Sequence, residues 1–176
     1  MGVKKILNAV STAVVVIVAV VVLGLVAMRL MGLQGYVVLS GSMEPVYHTG
    51  SVIYVQSKVD ASALEEGQII TFRLTGDTIA THRIIEVVEE NGAVRYRTKG
   101  DANEVADGSL VDPAQVIGTP KFSIPYLGFA LTYIQSAQGR YAAIAVGALL
   151  LLIVFLPSLI SEKGNDKKSK TKEEQT

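Results

Sequence analysis

A serine, a histidine and an aspartate lie in three short segments that could together support hydrolysis by an activated serine. Ser42 lies in Leu39–Pro45 (LSGSMEP), His82 follows a threonine in a run of β-branched residues, and Asp101 follows a Lys-Gly pair. A serine hydroxyl is a weak nucleophile until a base removes its proton. A histidine oriented by a carboxylate performs that task near neutral pH. The three residue types therefore predict a serine nucleophile with a histidine base.

A hairpin signal between the histidine and the aspartate predicts that their side chains meet. Asn91-Gly92 is a strong two-residue turn signal, because both positions tolerate positive φ. Counting back from this turn pairs Glu86 with Arg97, and the opposite charges support the register. Continued along the strands, the same register places His82 opposite Asp101. A single β-bulge would break this pairing.

The segments that must position these residues are rich in β-branched side chains. Thr75-Gly76-Asp77 and Asn91-Gly92 lie between the last three of four such runs, which predicts an antiparallel meander. The four predicted strands are Ser51–Ser57, Gln68–Leu74, Thr78–Glu89 and Ala93–Lys99.

A further segment, Lys121–Ile134 (KFSIPYLGFALTYI), is apolar and aromatic. It suits the core of the domain. It equally suits a surface in the lipid headgroup layer, where tyrosine rings are favoured. Both interpretations remain open on the sequence.

Two uncharged apolar segments, residues 6–28 and 141–160, enclose the β-rich region. At about 1.5 Å per residue, each helix would reach the roughly 30 Å of a hydrocarbon core. Lysines occur in residues 1–5 and again in residues 161–176, so the positive-inside rule predicts that both ends are cytoplasmic. Residues 29–140 would then form an extracytoplasmic, mainly β catalytic domain, anchored in the cell membrane by two transmembrane helices.

Composition narrows the possible chemistry. The 176 residues carry a formal net charge of zero, so bulk charge predicts no nucleic-acid partner. The chain contains no cysteine, which excludes disulfides, thiolate metal ligands and a cysteine nucleophile. Its two histidines are too few for a histidine-based zinc site without help from carboxylates. We therefore expect neither a metal nor an organic cofactor.

Four segments, taken in order, resemble the conserved boxes of type I signal peptidases. They are Ser40–Pro45, Gly67–Phe72, Thr81–Ile84 and Lys99–Asn103. In particular the chain is similar to the branch that uses histidine where most bacterial enzymes have lysine, peptidase family S26B. This branch includes the endoplasmic-reticulum enzyme, archaeal enzymes and the SipW type of Gram-positive bacteria.

The resemblance implies a role for each residue. Ser42 would be the nucleophile and His82 the general base, while the Ser40 hydroxyl would join the Ser42 backbone N–H in binding the oxyanion. Asp101 and Asp107 would match the two acidic positions, and either could orient the histidine. The fold would be a compact antiparallel β domain of the signal peptidase type with a shallow groove. Its substrates would be signal-peptide-bearing secretory precursors with small residues at positions −1 and −3.

Two alternatives remain open beside this interpretation. The chain could be a catalytically inactive, membrane-anchored β-domain that acts as a scaffold or regulatory partner. It could also be a processing enzyme dedicated to a few secreted proteins rather than to general export.

Overall fold

The computed structural model of the chain describes residues 3–74, 76, 78–90 and 92–173. The predicted turn residues Thr75, Asp77 and Asn91 lie outside this description. Two compact units can be distinguished. One is Ala27–Thr132, and the other combines Met1–Val26 with Tyr133–Thr176.

Two long helices, α1 (Val3–Leu30) and α3 (Ala137–Glu173), cover the two apolar segments. The stretches Lys5–Leu30 and Ala137–Phe155 are long and apolar enough to cross a membrane, and almost none of either is buried within the protein. Ser11 in α1 donates a hydrogen bond to the Val154 carbonyl of α3 at 3.1 Å. A polar group in an apolar helix is thereby satisfied by the neighbouring helix.

The unit Ala27–Thr132 contains one six-stranded antiparallel sheet with the strand order β1-β2-β6-β3-β4-β5. A short helix, α2 (Leu127–Gln135), follows the last strand. More of the described residues lie in helices than in strands, so the expectation of a mainly β protein describes this unit only. The strands are β1 (Leu33–Val37), β2 (Val52–Gln56), β3 (Ile69–Arg73), β4 (Ile79–Glu90), β5 (Ala93–Lys99) and β6 (Val116–Ile124).

The strands β2 to β5 agree closely with the four predicted runs, whereas β1 and β6 were not predicted. β6 contains two residues that disfavour strands, Gly118 and Pro120, and for this reason its sequence does not predict a strand. Pro120 lies at the irregularity where β6 pairs with β2, a position that tolerates a missing N–H. A Cβ atom at Gly118 would lie 2.0 Å from the Gln56 carbonyl oxygen, so only glycine allows β6 to approach β2 this closely.

The core of this unit lies beneath β3, β4 and β5. Tyr96 is fully buried, and its hydroxyl donates to the Ala61 carbonyl at 2.7 Å and accepts from the Leu64 N–H at 3.3 Å. A buried phenol needs such partners, because an unpaired hydroxyl in the core would cost free energy. The core residues are Leu64, Ile70, Phe72, Ile84, Tyr96 and Val111.

The sheet curls, and this curl creates the groove that holds the site. β1 forms one edge of the sheet and β4 lies next to the other edge. Side chains of both strands nevertheless line one cavity of about 420 Å³. The two ends of the sheet are therefore brought face to face across this space.

Candidate active site

Ser42 lies on a compact loop between β1 and β2. Backbone bonds close the base of the loop, where Val38 N donates to Ser51 O at 2.9 Å and Gly50 N to Val38 O at 2.9 Å. Met43, next to Ser42, is 2% exposed and fixes the middle of the loop against the domain. The nucleophile candidate is thus carried by a short, internally bonded segment rather than by a free loop.

The second histidine of the chain is engaged within this same loop. His48 Nδ1 is hydrogen-bonded to the Glu44 carboxylate, whose other oxygen accepts from Thr49 N at 3.2 Å. The His48 side chain is exposed to solvent and the Glu44 side chain is half-buried. This pair braces the loop, and His48 is not the histidine that meets Ser42.

His82 on β4 meets Ser42, forty residues earlier in the chain, through its ring nitrogen. The distance from Ser42 Oγ to His82 Nε2 is 3.2 Å. On the other side of the ring, His82 Nδ1 lies 2.6 Å from Asp107 Oδ2. Because an ionised carboxylate can only accept, Nδ1 carries the proton and Nε2 presents its lone pair to the serine hydroxyl. The Phe72 ring contacts the imidazole edge-on at 6.2 Å between centroids.

Asp107 is held in place by the buried residue Thr98. Thr98 Oγ1 donates to Asp107 Oδ2 at 2.6 Å, and the Asp107 N–H donates to the Thr98 carbonyl at 2.8 Å. Thr98 itself is fully buried at the end of β5. One carboxylate oxygen thus accepts from both Thr98 and His82, which fixes the orientation of the imidazole.

The predicted pairing of His82 with Asp101 is wrong. The register agrees with the prediction from the turn as far as Glu86 opposite Arg97, but a bulge in β4 between Ile84 and Glu86 shifts it by one residue. Beyond the bulge Arg83 faces Lys99, where β5 ends. The bulge adds one residue to β4, so every later pair is displaced along the ladder.

Asp101 instead forms a two-pronged ion pair with Arg83. Arg83 Nε donates to Asp101 Oδ1 at 2.8 Å and Nη2 donates to Oδ2 at 2.6 Å, while Nη1 donates to the Gly67 carbonyl at 2.8 Å. The hydrogen bonds that Arg83 donates to Asp101 raise the pKa of the guanidinium above its ordinary value. The structure therefore separates the two aspartates, since Asp107 contacts the histidine and Asp101 contacts an arginine.

The turn that carries Asp101 is also bonded directly to the serine loop. Ala102 N donates to the Ser42 backbone carbonyl at 2.9 Å. A Cβ atom at Gly100 would lie 2.6 Å from the same oxygen, so the turn can approach only with glycine there. The sequence motifs alone predict no special role for Gly100, Arg83 or Thr98. Their adjacency to His82 and to the Lys-Gly-Asp segment was the available signal.

Ser40 lies close to the nucleophile candidate. Its Oγ is 3.4 Å from Ser42 Oγ, and Ser40 is exposed whereas Ser42 is half-buried. A hydroxyl at this distance can donate to an oxygen that develops charge beside Ser42. The position is compatible with the oxyanion role that the resemblance implies.

The cavity beside Ser42 and His82 is an open, mainly apolar groove of about 420 Å³ between two strand edges. On one side β1 pairs only with β2, and on the other β4 pairs with β5 only from Arg83 onwards, within the described residues. Over Ile79–His82, β4 is bonded to β3 on one side, and the backbone groups on its other side have no strand partner among the described residues. The groove is lined by Tyr36, Val37, Val38, Leu39, Ser40, Ser42, Met43, Tyr47, Ile53, Thr78, Ile79, Ala80, Thr81 and His82.

Tyr47 closes one part of this groove as a neutral phenol. Burial raises the pKa of Tyr47 above its ordinary value, the nearby Arg83 partly opposes this shift, and Asp101 adds to it. A neutral hydroxyl can both donate and accept a hydrogen bond. Among the residues that the structure describes, no group of three or more histidine, cysteine, aspartate or glutamate side chains could hold a metal ion.

The chain is similar in sequence to known proteins. The family model described as "Signal peptidase, peptidase S26" matches residues 8–92, which include Ser42 and His82 but neither aspartate. Signal peptidase I W of Bacillus subtilis (strain 168) is 39% identical over 94 residues, which are 53% of this chain and 46% of that protein. The signal peptidase complex catalytic subunit SEC11C of Rattus norvegicus is 36% identical over 127 residues, 66% of each protein. The chain thus matches about half of the Bacillus protein's length.

Proposed function

The chain belongs to the signal peptidase I family, peptidase S26, and on this basis we propose that it is a membrane-bound serine endopeptidase that removes signal peptides from secreted precursors. The observation that carries the proposal is the line of hydrogen bonds from Ser42 through His82 to Asp107, at 3.2 Å and 2.6 Å. A catalytically inactive scaffold would have no need for an imidazole oriented towards a serine hydroxyl.

In the acylation step Ser42 Oγ attacks the carbonyl carbon of the scissile peptide bond while His82 Nε2 takes the hydroxyl proton. The Asp107 carboxylate stabilises the resulting imidazolium. The Ser42 N–H and the Ser40 hydroxyl donate to the oxyanion of the tetrahedral intermediate. His82 then gives its proton to the departing amine, which becomes the new N-terminus of the mature protein, and the signal peptide remains as an ester on Ser42.

In the deacylation step water replaces the amine as the attacking group. His82 takes a proton from the water as its oxygen adds to the ester carbonyl, and then returns the proton to Ser42 Oγ as the ester bond breaks. The products are the signal peptide with a free carboxylate and the regenerated enzyme. This scheme needs no metal or organic cofactor.

The free strand edges of the groove suit a substrate bound as an added β-strand. An extended peptide could pair its backbone with β1 and with the Ile79–His82 part of β4. Side chains alternate along such a strand, so positions −1 and −3 face the same side and position −2 faces the other. With the groove floor filled by Met43 and Ile53, only small residues fit at −1 and −3.

A precursor series tests this substrate class. With alanine at −1 and −3, the purified full-length chain should release the signal peptide at the expected bond. Phenylalanine at −1 should lower kcat/KM by about 100-fold or more, since excess volume at a packed site is strongly rejected. Phenylalanine at −2 is the matched control and should have little effect. Mass spectrometry of the products measures the cleavage rate of both precursors. An equal decrease in kcat/KM for phenylalanine at −1 and at −2 would contradict binding of the substrate as a β-strand with alternating side chains.

We also propose the topology that the lysine distribution favours. Residues 6–28 and 141–160 span the membrane, residues 29–140 lie outside the cell, and residues 1–5 and 161–176 are cytoplasmic. In such an arrangement Ser42 lies close to the outer membrane surface, where a signal peptide presents its cleavage site.

Protease protection tests this topology. In intact protoplasts, added protease should leave a C-terminal epitope tag on residues 161–176 undigested, because the tail lies on the cytoplasmic side. After permeabilisation the tag should be lost, which serves as the control. Digestion of the tag without permeabilisation would place the tail outside and disprove the proposed orientation.

A further inference from the structure

A second cavity, of about 370 Å³, adjoins the groove at β4. Ala80 and His82 line both spaces. The second cavity is also lined by Asp107, the carboxylate that contacts His82, and by the residues that follow it up to position 111. We call it the Asp107 cavity. No step of the proposed cleavage uses this space, although it borders the base and its carboxylate.

The strand residues that line the Asp107 cavity all lie on one face of the sheet. They are Phe72, Ala80 and His82. Phe72 pairs directly with Ala80, and His82 lies two residues beyond Ala80 on β4. Paired residues share a face and successive residues alternate, so Ile79 and Thr81 lie on the opposite face. These two residues line the groove but not the cavity. The free edge of β4 thus has the groove on one face and the Asp107 cavity on the other.

A substrate strand added to this edge would continue the alternation. In the proposed binding mode the side chains at −1 and −3 enter the groove, on the face of Ile79 and Thr81. The side chain at −2 then points to the opposite face, which is the face of Ala80 and His82. Residues 107–111 stand across that face and enclose the Asp107 cavity. A side chain at −2 would therefore enter this cavity.

The wall that residues 107–111 form is fixed at both ends. Asp107 N donates to the Thr98 carbonyl at 2.8 Å. Val111, which is 3% exposed, exchanges two backbone hydrogen bonds with Tyr96, of 2.9 Å and 2.8 Å. Both partners belong to β5. The cavity is therefore present before any substrate binds, since its wall is bonded to the sheet itself.

The lining of the Asp107 cavity combines apolar side chains with one carboxylate. Phe72 and Val111 are buried core residues, and Leu110 adds a third apolar side chain. The volume of about 370 Å³ is enough for an aromatic ring. The Asp107 carboxylate, which accepts a hydrogen bond from His82, contributes a negative charge. Such a lining suits a large uncharged side chain and disfavours an acidic one, because two carboxylates in an enclosed space repel each other.

We propose that the Asp107 cavity binds the substrate side chain at position −2, and that it accepts a large uncharged side chain there and rejects an acidic one. The inference rests on the proposed function, from which it takes the substrate and the faces of −1 and −3. It adds a third position of specificity to the cleavage site. Size limits −1 and −3, whereas charge limits −2.

Glutamine and glutamate at −2 give a matched pair of precursors, since their side chains have nearly the same shape and differ in charge. For the purified full-length chain, kcat/KM should be about 10-fold lower with glutamate than with glutamine, because glutamate would lie beside Asp107. Ser109 lies on the exposed part of the cavity wall, and Ser109→Lys adds a cation there. In this variant the ratio of the two kcat/KM values should return to about one. Equal cleavage of both precursors by the parent chain would overturn the proposal.

A substitution that fills the cavity tests its space. Leu110→Trp should lower the ratio of kcat/KM for phenylalanine at −2 to that for alanine at −2 by about 10-fold. Val105→Trp is the matched control, because Val105 is 76% exposed and lines neither the groove nor the cavity. It should leave this ratio unchanged. If Leu110→Trp does not fold, Ser109→Trp replaces it. An unchanged ratio in a cavity variant that melts like the parent chain would contradict the assignment.

A photoreactive side chain distinguishes failure of this inference from failure of the proposed function. A precursor with p-benzoylphenylalanine at −2 is irradiated with the full-length Ser42→Ala chain, and the cross-linked residues are identified by mass spectrometry. We expect cross-links to residues 108–111. Cross-links only to residues 36–39 of the groove, or only to lipid, would overturn the inference. Cross-links to residues 108–111, combined with a parent chain that cleaves no precursor, would refute the proposed function and leave the −2 site standing.

Discussion

Substitution of Ser42 by alanine should lower kcat for precursor cleavage by on the order of 10⁶, the loss typical of removing a serine nucleophile from a triad. The expected loss is this large because the Ser42 hydroxyl is the group that His82 Nε2 contacts, at 3.2 Å, and alanine has no hydroxyl to form the acyl-enzyme. Ser42 is a small, half-buried loop residue, so its alanine variant should insert and melt like the parent chain. The measurement is single-turnover cleavage of one purified precursor, followed by mass.

Ser40→Ala is the matched control for this experiment. Ser40 Oγ lies 3.4 Å from Ser42 Oγ and is expected only to help to bind the oxyanion. Its loss should cost about 10²–10³ in kcat, with little change in KM. Substantial turnover by purified Ser42→Ala would refute the nucleophile. If Ser40→Ala lowered kcat more than Ser42→Ala did, Ser40 would be the nucleophile and Ser42 the residue that helps to bind the oxyanion.

Asp107→Asn should reduce kcat by on the order of 10⁴, as expected when a triad carboxylate is replaced by its amide. An amide cannot stabilise the imidazolium by charge, and its NH₂ group favours the wrong tautomer of His82. The 2.6 Å contact with His82 Nδ1 and the 2.6 Å bond from Thr98 make Asp107 the orienting group. Steady-state kinetics and a thermal melt are measured on the same preparation, and the melt should change little.

Asp101→Asn is the matched comparison, because Asp101 was the aspartate that hairpin counting placed beside the histidine. It contacts Arg83 through two hydrogen bonds of 2.8 Å and 2.6 Å. We expect its loss to lower the free energy of unfolding by about 2 kcal/mol, the scale of hydrogen bonds to charged groups, and so to lower Tm. The folded fraction should retain far more activity than Asp107→Asn. A folded, inactive Asp101→Asn beside an active Asp107→Asn would reverse the assignment, and two active variants would indicate a Ser-His dyad.

The sequence by itself determined the features that depend on neighbouring residues. Long hydrophobic runs predict the apolar segments of α1 and α3, and runs of β-branched residues predict the strands β2 to β5. Short motifs single out Ser42 and His82 as the candidate nucleophile and base. Near the hairpin turn, where few residues intervene, the predicted register was confirmed, with Glu86 opposite Arg97.

The tertiary structure alone decided which carboxylate serves the histidine. The bulge in β4 depends on how the strand packs, and no local residue pattern predicts it. The bulge displaces the pairing by one residue and β5 ends at Lys99, so Asp101 lies beyond the ladder. There it contacts Arg83, and His82 contacts Asp107. The tertiary structure also decided that β6 is a strand. This segment contains a glycine and a proline, and it forms a strand only because β2 and β3 lie on either side of it. The meeting of Ser42 with His82, forty residues apart in the chain, likewise depends on the curl of the whole sheet, since long-range contacts are set by packing rather than by local propensity.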